Sequence, residues 1–362
     1  MDSNGAWHRV LDLEPASVYV DPPSAIIARP GDGTRDRFVA TMLGGAIGDA
    51  LGRPVERWDR SAVRRAYPHG VRDFEKWRGW RSGPIGTITD DTQLSLAVAG
   101  WLSDAGPARL PDGDDFGRRV AVWGPVARGA GLGSSTAAAN LAVGVPWWES
   151  GSPTYGNGVA MRSAAIGLRY QGDLLRMRDA VAVSGLATHR HVSAVAGGLV
   201  VSAVTSYLVA AGGDVDSRAL VDAAIAPIAG LALPEHLVGG SEDRATMVEL
   251  LDSVPGLLDE DVEAVFDHFY NGSAVFQSLP MAAWLFCRYG GTDPEEALVI
   301  AASGGRDADT IAAMVGNWVG ALHGTPAFPD RWDGPELEYR DELVALAESL
   351  YELWVGDRTR SS

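Results

Sequence analysis

The chain has 362 residues, of which 46% are hydrophobic and 21% charged, and a formal net charge of −17. With 30 basic against 47 acidic residues, it has no basic face to neutralise phosphates, which excludes nucleic acid as a general partner. Cys287 is the sole cysteine and Lys76 the sole lysine, which excludes a disulfide framework, a cysteine-based metal site and a P-loop, and nearly excludes Schiff-base chemistry.

Residues 1–34 carry Pro15, Pro22, Pro23 and Pro30 and close on Gly31-Asp32-Gly33, so they read as an extended N-terminal arm. Its first stretch, Met1 to Ala16, is polar and lacks the basic start and apolar core of a secretory signal, which predicts a cytoplasmic protein. From Asp36 the pattern turns helical: Phe38, Met42, Leu43, Ile47, Ala50 and Leu51 recur at three- and four-residue spacing. Similar spacing predicts helices over 92–104, 159–170, 193–211, 217–229, 244–251, 261–270, 274–289, 294–303, 308–323 and 340–354. Val192 to Gly213 contains no charge, but its Ser, Thr, Tyr and paired glycines predict a buried central helix and no membrane span. The segments 53–88, 105–158 and 231–243 are rich in Gly, Pro and Trp and read as structured loops. Strand-like alternation is scarce and no composition break divides the chain. The expectation is one all-α domain over 35–356, followed by a tail at 357–362.

Two predicted helices share a glycine stripe: Gly44, Gly48 and Gly52 near one end of the chain, and Gly316, Gly320 and Gly324 near the other. Glycine inside a helix costs ~1 kcal/mol relative to alanine, so such stripes call for a close backbone approach. The 36–52 and 308–323 helices are therefore expected to cross tightly in the core.

Two acidic clusters lead into helices far apart in sequence, Thr89-Asp90-Asp91-Thr92 and Asp307-Ala308-Asp309-Thr310. Asp and Thr are favoured N-caps, and acids in a first turn suit the helix dipole, so capping explains either cluster alone. A cap needs one side-chain oxygen, however, and each cluster supplies several. Oxygen donors this dense, without His or Cys, suit Mg²⁺, Mn²⁺ or Ca²⁺. If the fold joins the clusters, they make one site for two metals.

These residues resemble the ADP-ribosylglycohydrolase family. Gly44-Gly45-Ala46-Ile47-Gly48-Asp49-Ala50-Leu51-Gly52 with Glu56 looks like its opening motif, and Thr89-Asp90-Asp91-Thr92 matches its T-D-D-T motif. Gly156-Asn157-Gly158 with Met161-Arg162 matches G-N-G-x-x-M-R, Thr188-His189 matches T-H, and Asp307-Ala308-Asp309-Thr310-Ile311-Ala312 matches D-x-D-T-I-A. All occur in family order. The resemblance implies a single compact, orthogonal helical domain with a central cleft holding two divalent cations, Mg²⁺ or Mn²⁺. Thr89, Asp90, Asp91, Asp307, Asp309 and Thr310 would be the metal ligands, with Glu56 and Asp91 as catalytic carboxylates. Gly156, Asn157, Gly158, Met161, Arg162 and His189 would contact the substrate. The implied activity is hydrolysis of an N- or O-glycosidic bond of ADP-ribose on a modified protein or small molecule. Such a reaction passes through a cation-like anomeric centre that carboxylates stabilise.

Each of these residues also has a plainer reading. Glu56 lies between Arg53 and Arg57, so an ion pair accounts for it. His189 can cap a helix, and Arg162 can serve a phosphate, a helix C-terminus or a core carboxylate. Trp77, Trp80, Trp147 and Trp148 can stack on a base or pack loops onto the core. Where many family members read Gly-Gly-Asp, this chain reads Gly305-Arg306-Asp307, and the arginine can point outward, pair with Asp307 or reach the substrate. Two further functions fit the same residues: hydrolysis of a small N-riboside, and non-catalytic binding of ADP-ribose or nucleotide. The acceptor and the oligomeric state are not legible.

Overall fold

In the computed structural model, residues 27–76, 83–107, 110–229 and 237–361 are described. The fold is all-α, and among these residues only isolated bridges such as Gly156 to Ala274 depart from helix, turn and loop. Five helices position the site: α1 (Asp32–Gly52), α2 (Asp90–Asp104), α3 (Val192–Ala211), α4 (Ala308–His323) and α5 (Arg340–Ser361). The predicted helices are present. The segment predicted as helix over 159–170 is a 3₁₀ turn, Ala160–Arg162, followed by the short helix Ala164–Arg169. The 274–289 stretch ends in a π-helical turn, Phe286–Gly290.

Helices α1 and α4 lie against each other antiparallel. A Cβ built on Gly44 would overlap the carbonyl of Gly316, one on Gly48 that of Ala312, and one on Gly320 that of Ala40. The stripes therefore let two backbones touch along several turns instead of at one crossing point. Gly324 is the exception: it lies past the end of α4 at φ +79, with Asp36 occupying the space beside it. The antiparallel register has a consequence for chemistry. The C-terminal turn of α1 meets the N-terminal turn of α4, with Gly52 against Asp309, so Asp49 is brought beside the second acidic cluster.

The uncharged α3 is long and apolar enough to cross a bilayer by composition, yet 78% of its most apolar window is buried inside the fold. It packs on α4 and on the helices Leu174–Thr188 and Ser217–Ala229. From the far end of the chain, α5 lies on α1, where Trp354 and Tyr351 meet Phe38 with ring centroids 5.6 and 5.4 Å apart.

Three expectations change. The segments read as loops contain helices at Arg60–Ala66, Gly113–Trp123 and Leu132–Ala142. In the second, Phe116, Val120 and Trp123 form the buried stripe and the Asp112 side chain caps, a signal masked by the surrounding turn-forming residues. The third buries only Ser134, Ala137 and Ala138, while Leu132 at its start and Val143 just past its end are largely exposed, so it carries no apolar stripe to recognise. The expected tail at 357–362 continues α5 as helix to Ser361, and Asp357 pairs with the buried Arg169 at 2.8 Å. Residues 1–26 of the expected arm lie outside the described residues, and α1 begins at Asp32, inside the arm's expected limit.

Candidate active site

A cleft of about 560 Å³ opens where α1, α2 and α4 meet end to end. Its floor is Asp90, Asp91, Asp307, Asp309 and Thr310, so the two acidic clusters do converge. The hydrogen bonds show which of these residues cap. The N-cap of α2 is the Thr89 hydroxyl, which accepts from the Asp91 N–H at 3.3 Å. A second cap comes from α1: the Asp49 carboxylate accepts from the N–H groups of Thr89 and Thr92 at 2.9 and 3.1 Å and from the Thr92 hydroxyl at 2.6 Å. Neither Asp90 nor Asp91 is used as a cap, and Asp307 makes no capping bond to α4.

What remains is a set of buried carboxylates with spare oxygens. Asp91 Oδ1 and Asp309 Oδ1 are buried without a hydrogen-bond partner. Asp49, Asp91 and Asp309 each present an oxygen within 4.8 Å of the others. Asp49 belongs to this triad by distance, but its Oδ2 already accepts the bonds that fix α2, so it contributes charge and position more than a free lone pair. Asp307 Oδ2 accepts from the Asn157 amide at 2.6 Å, and Asp91 Oδ2 accepts from the Thr89 hydroxyl at 2.9 Å.

Burial of so many acids raises their pKa values. Desolvation first, then repulsion from Asp49, pushes Asp90 up to about 7. Desolvation pushes Asp307 up to about 6, against the bonds from Asn157 and Thr310. Asp91 and Asp309 are held well above the usual carboxylate range by burial and by the neighbouring aspartates. Unpartnered, mutually repelling oxygens on a buried floor are a donor set that a divalent cation would satisfy.

The walls are glycine-rich. Gly156, Asn157, Gly158 and Met161 line one side, and Asn157 is anchored by its N–H to the Ser273 carbonyl at 3.0 Å. His189 reaches the same wall, where Cβ atoms on Gly133 or Gly158 would intrude on its ring. Burial, then the charge of Arg162, drives its pKa down to about 3, so the imidazole is neutral and shares a hydrogen bond with the Thr188 hydroxyl. Glu56 stands at the mouth, with its side chain 11% exposed, paired to Arg53 and to Arg57. It is thus both an ion-pair partner and part of the cleft.

Two expected site residues, the substrate contact Arg162 and the metal ligand Thr89, sit behind the wall. Arg162 is fully buried, with its guanidinium donating to the Ser184 hydroxyl, the Ser184 carbonyl and the Thr188 hydroxyl. It therefore braces the chain on which His189 stands instead of lining the cleft. Thr89 is likewise buried and serves Asp91. Trp147 and Trp148 pack edge to face, with Trp147 filling the space beside Gly113; Trp77 and Trp80 lie outside the described residues. Sequence reasoning missed Asp49, although it stands three residues before Gly52 on the striped helix. It also missed the Gly129–Gly133 loop, whose Gly-x-Gly-x-Gly spacing resembles the other glycine-rich wall, the rim residue Tyr270, and the left-handed backbones of Arg57, Tyr270 and Arg306 (φ +66, +71 and +52). Left-handed non-glycine residues cost about 1–3 kcal/mol each and collect where function fixes the backbone.

The fold and site define a helical protein with a carboxylate-floored, metal-competent cleft. Comparison with known proteins gives this class its name: the family model described as ADP-ribosylglycohydrolase matches residues 30–360, and the chain belongs to that family, whose chemistry is hydrolysis of ADP-ribose linkages. Among relatives, mouse ADP-ribosylhydrolase ARH3 is 30% identical, over 88% of this chain and 92% of its own length. The ADP-ribosyl-[dinitrogen reductase] glycohydrolase of Rhodospirillum rubrum is 26% identical, over 88% and 98%. A solved structure described as an ADP-ribosylglycohydrolase-related protein complex superposes with a TM-score of 0.67 at 26% identity, covering 89% of this chain and 99% of the other.

Proposed function

We propose that the protein is a divalent-cation-dependent hydrolase that cleaves the N- or O-glycosidic bond joining ADP-ribose to a modified protein or small molecule. The observation that carries this reading is the pair of orphaned oxygens, Asp91 Oδ1 and Asp309 Oδ1, on the floor of a glycine-walled cleft. Asp90, Asp91, Asp307, Asp309 and Thr310 would hold two ions, Mg²⁺ or Mn²⁺, with Thr89 fixing Asp91 from behind. The ions would supply Lewis-acid charge that binds the ribose diol and acidifies water.

The chain's own residues do the rest. Glycines at 156 and 158 let backbone N–H groups approach the diphosphate, and Asn157 ties that loop to Asp307. Asp91 and Glu56 offer negative charge to the cation-like anomeric carbon, and Glu56 can manage a proton there. Arg53 and Arg57 hold Glu56 in orientation. His189, being neutral, can accept or donate a hydrogen bond without adding charge. The low exposure of Asp90, Asp91 and Asp309 lowers the local dielectric, which strengthens their electrostatic interactions.

The test is incubation with ADP-ribosyl-arginine, ADP-ribosyl-serine and small ADP-ribose conjugates, with chelator or with Mg²⁺ or Mn²⁺, scored for free ADP-ribose. Cation-dependent release from at least one conjugate is expected. No release from any of them, with metal bound, would refute the hydrolase reading.

A further inference from the structure

Arg306 holds φ +52, a left-handed conformation that favours glycine, directly before the floor residue Asp307. Its backbone is pinned from both sides: its N–H donates to the Trp58 carbonyl at 2.8 Å and its carbonyl accepts from the Arg57 N–H at 2.6 Å. The side chain is therefore not what holds the loop. Nor does it neutralise the floor, because no carboxylate lies within ion-pair distance of it among the described residues. Instead the guanidinium lies on the Tyr270 ring, 3.8 Å from its centroid, with Nη1 donating to the Tyr270 carbonyl at 2.6 Å. Tyr270 is itself left-handed, at φ +71, and 52% exposed, and both residues line the cleft. The other arginine at the rim, Arg57, is engaged with Glu56.

The result is a planar guanidinium without a carboxylate partner, fixed on an aromatic plate, in the wall of a cleft floored by aspartates. Of its five N–H donors, the contact to Tyr270 uses one, and a guanidinium in a fixed plane suits a two-oxygen anion. We propose that Arg306, seated on Tyr270, is a specificity-determining residue that binds an oxyanion of the substrate, a phosphate. That phosphate is either in the diphosphate of ADP-ribose or on the leaving group. The proposal rests on the reading of the substrate as an ADP-ribose conjugate.

The experiment compares the full-length parent with Arg306→Gly and Arg306→Lys. Glycine accepts φ +52 without strain, so Arg306→Gly should melt no lower than the parent and any loss is not a folding defect. Calorimetric titrations use ADP-ribose, ADP and adenosine at saturating Mg²⁺. Turnover uses ADP-ribosyl conjugates with a phosphate or a neutral hydroxyl leaving group. Arg306→Gly should weaken one set about 10- to 100-fold, mainly in KM, with partial recovery in Arg306→Lys, as expected for hydrogen bonds to a charged group. Weaker ADP-ribose and ADP with adenosine unchanged assigns the diphosphate. A loss confined to the phosphate-leaving conjugate assigns the acceptor side. Parent-like behaviour of Arg306→Gly with every probe overturns the proposal, as does a parent that binds neither ADP-ribose nor ADP. Absence of hydrolysis alone refutes the hydrolase reading, while the titrations still decide on Arg306.

Discussion

Glu56 is held by two arginines at the mouth of the cleft, an arrangement that fixes the orientation of its carboxylate. Glu56→Gln keeps the shape and removes the charge, so turnover should fall ~10²–10⁴-fold while ADP-ribose still binds. Initial rates and calorimetry on the same preparation check this, and parent-like turnover would leave Glu56 a mere ion-pair partner. The floor predicts a pH effect. A carboxyl whose folded pKa lies above its unfolded value of about 3.9 stabilises the fold below that value and loses the contribution as pH rises through the folded pKa. Asp90 at about 7 and Asp307 at about 6, with Asp91 and Asp309 also raised by burial, place that loss between about pH 4 and about pH 7. His189, lowered by burial, acts in the opposite sense, but only below its unfolded value of about 6.5. The raised carboxyls outnumber the one imidazole, so metal-free protein should melt lower at about pH 7.5 than at about pH 5, and Mg²⁺ or Mn²⁺ should raise the melting temperature more at the higher pH. A melting temperature flat across this window in chelator would mean that the carboxylates are relieved in some other way.

At the scale of elements, the contact between α1 and α4 is backbone on backbone, so even one methyl has no space. Gly48→Ala should destabilise by on the order of 1–3 kcal/mol or more, because the overlapping atom is the Ala312 carbonyl and not a flexible side chain. Gly356, inside α5, is the control: nothing lies within 4 Å of a Cβ built there, so Gly356→Ala should stabilise by about 0.5–1 kcal/mol. Denaturant midpoints measure both, and equal effects of the two substitutions would remove the packing argument. Because α1 also carries Asp49, loosening this pair should disturb the acidic floor along with the fold.

Across the whole molecule, the site depends on residues that touch no part of it. Helix α5 clamps the start of α1 through Trp354, Tyr351 and Phe38, while the far end of α1 holds α2 through Asp49. Trp354→Ala removes a nearly buried indole and should cost about 3–5 kcal/mol. If α1 moves as one rod, divalent-cation affinity should weaken as well. Chemical denaturation and a metal titration of the same variant test this, and an unchanged midpoint would show that α5 is an accessory layer.

The sequence alone determined the helices whose apolar period is strong, the close approach of the two glycine stripes, and the oxygen-only chemistry of the acidic clusters. These are local properties: period, absence of Cβ and donor type are written within a few residues. The family followed from motifs in order along the chain. Only the tertiary structure decided which residue serves which role. It turned the expected crossing into an antiparallel pair, because register depends on both stripes together. It showed Asp49 as a second cap of α2 and moved Arg162 from the cleft to the support of His189, since both depend on partners distant in sequence. It also turned Arg306 away from Asp307 and onto Tyr270, a choice set by two left-handed backbones that no neighbouring residue announces.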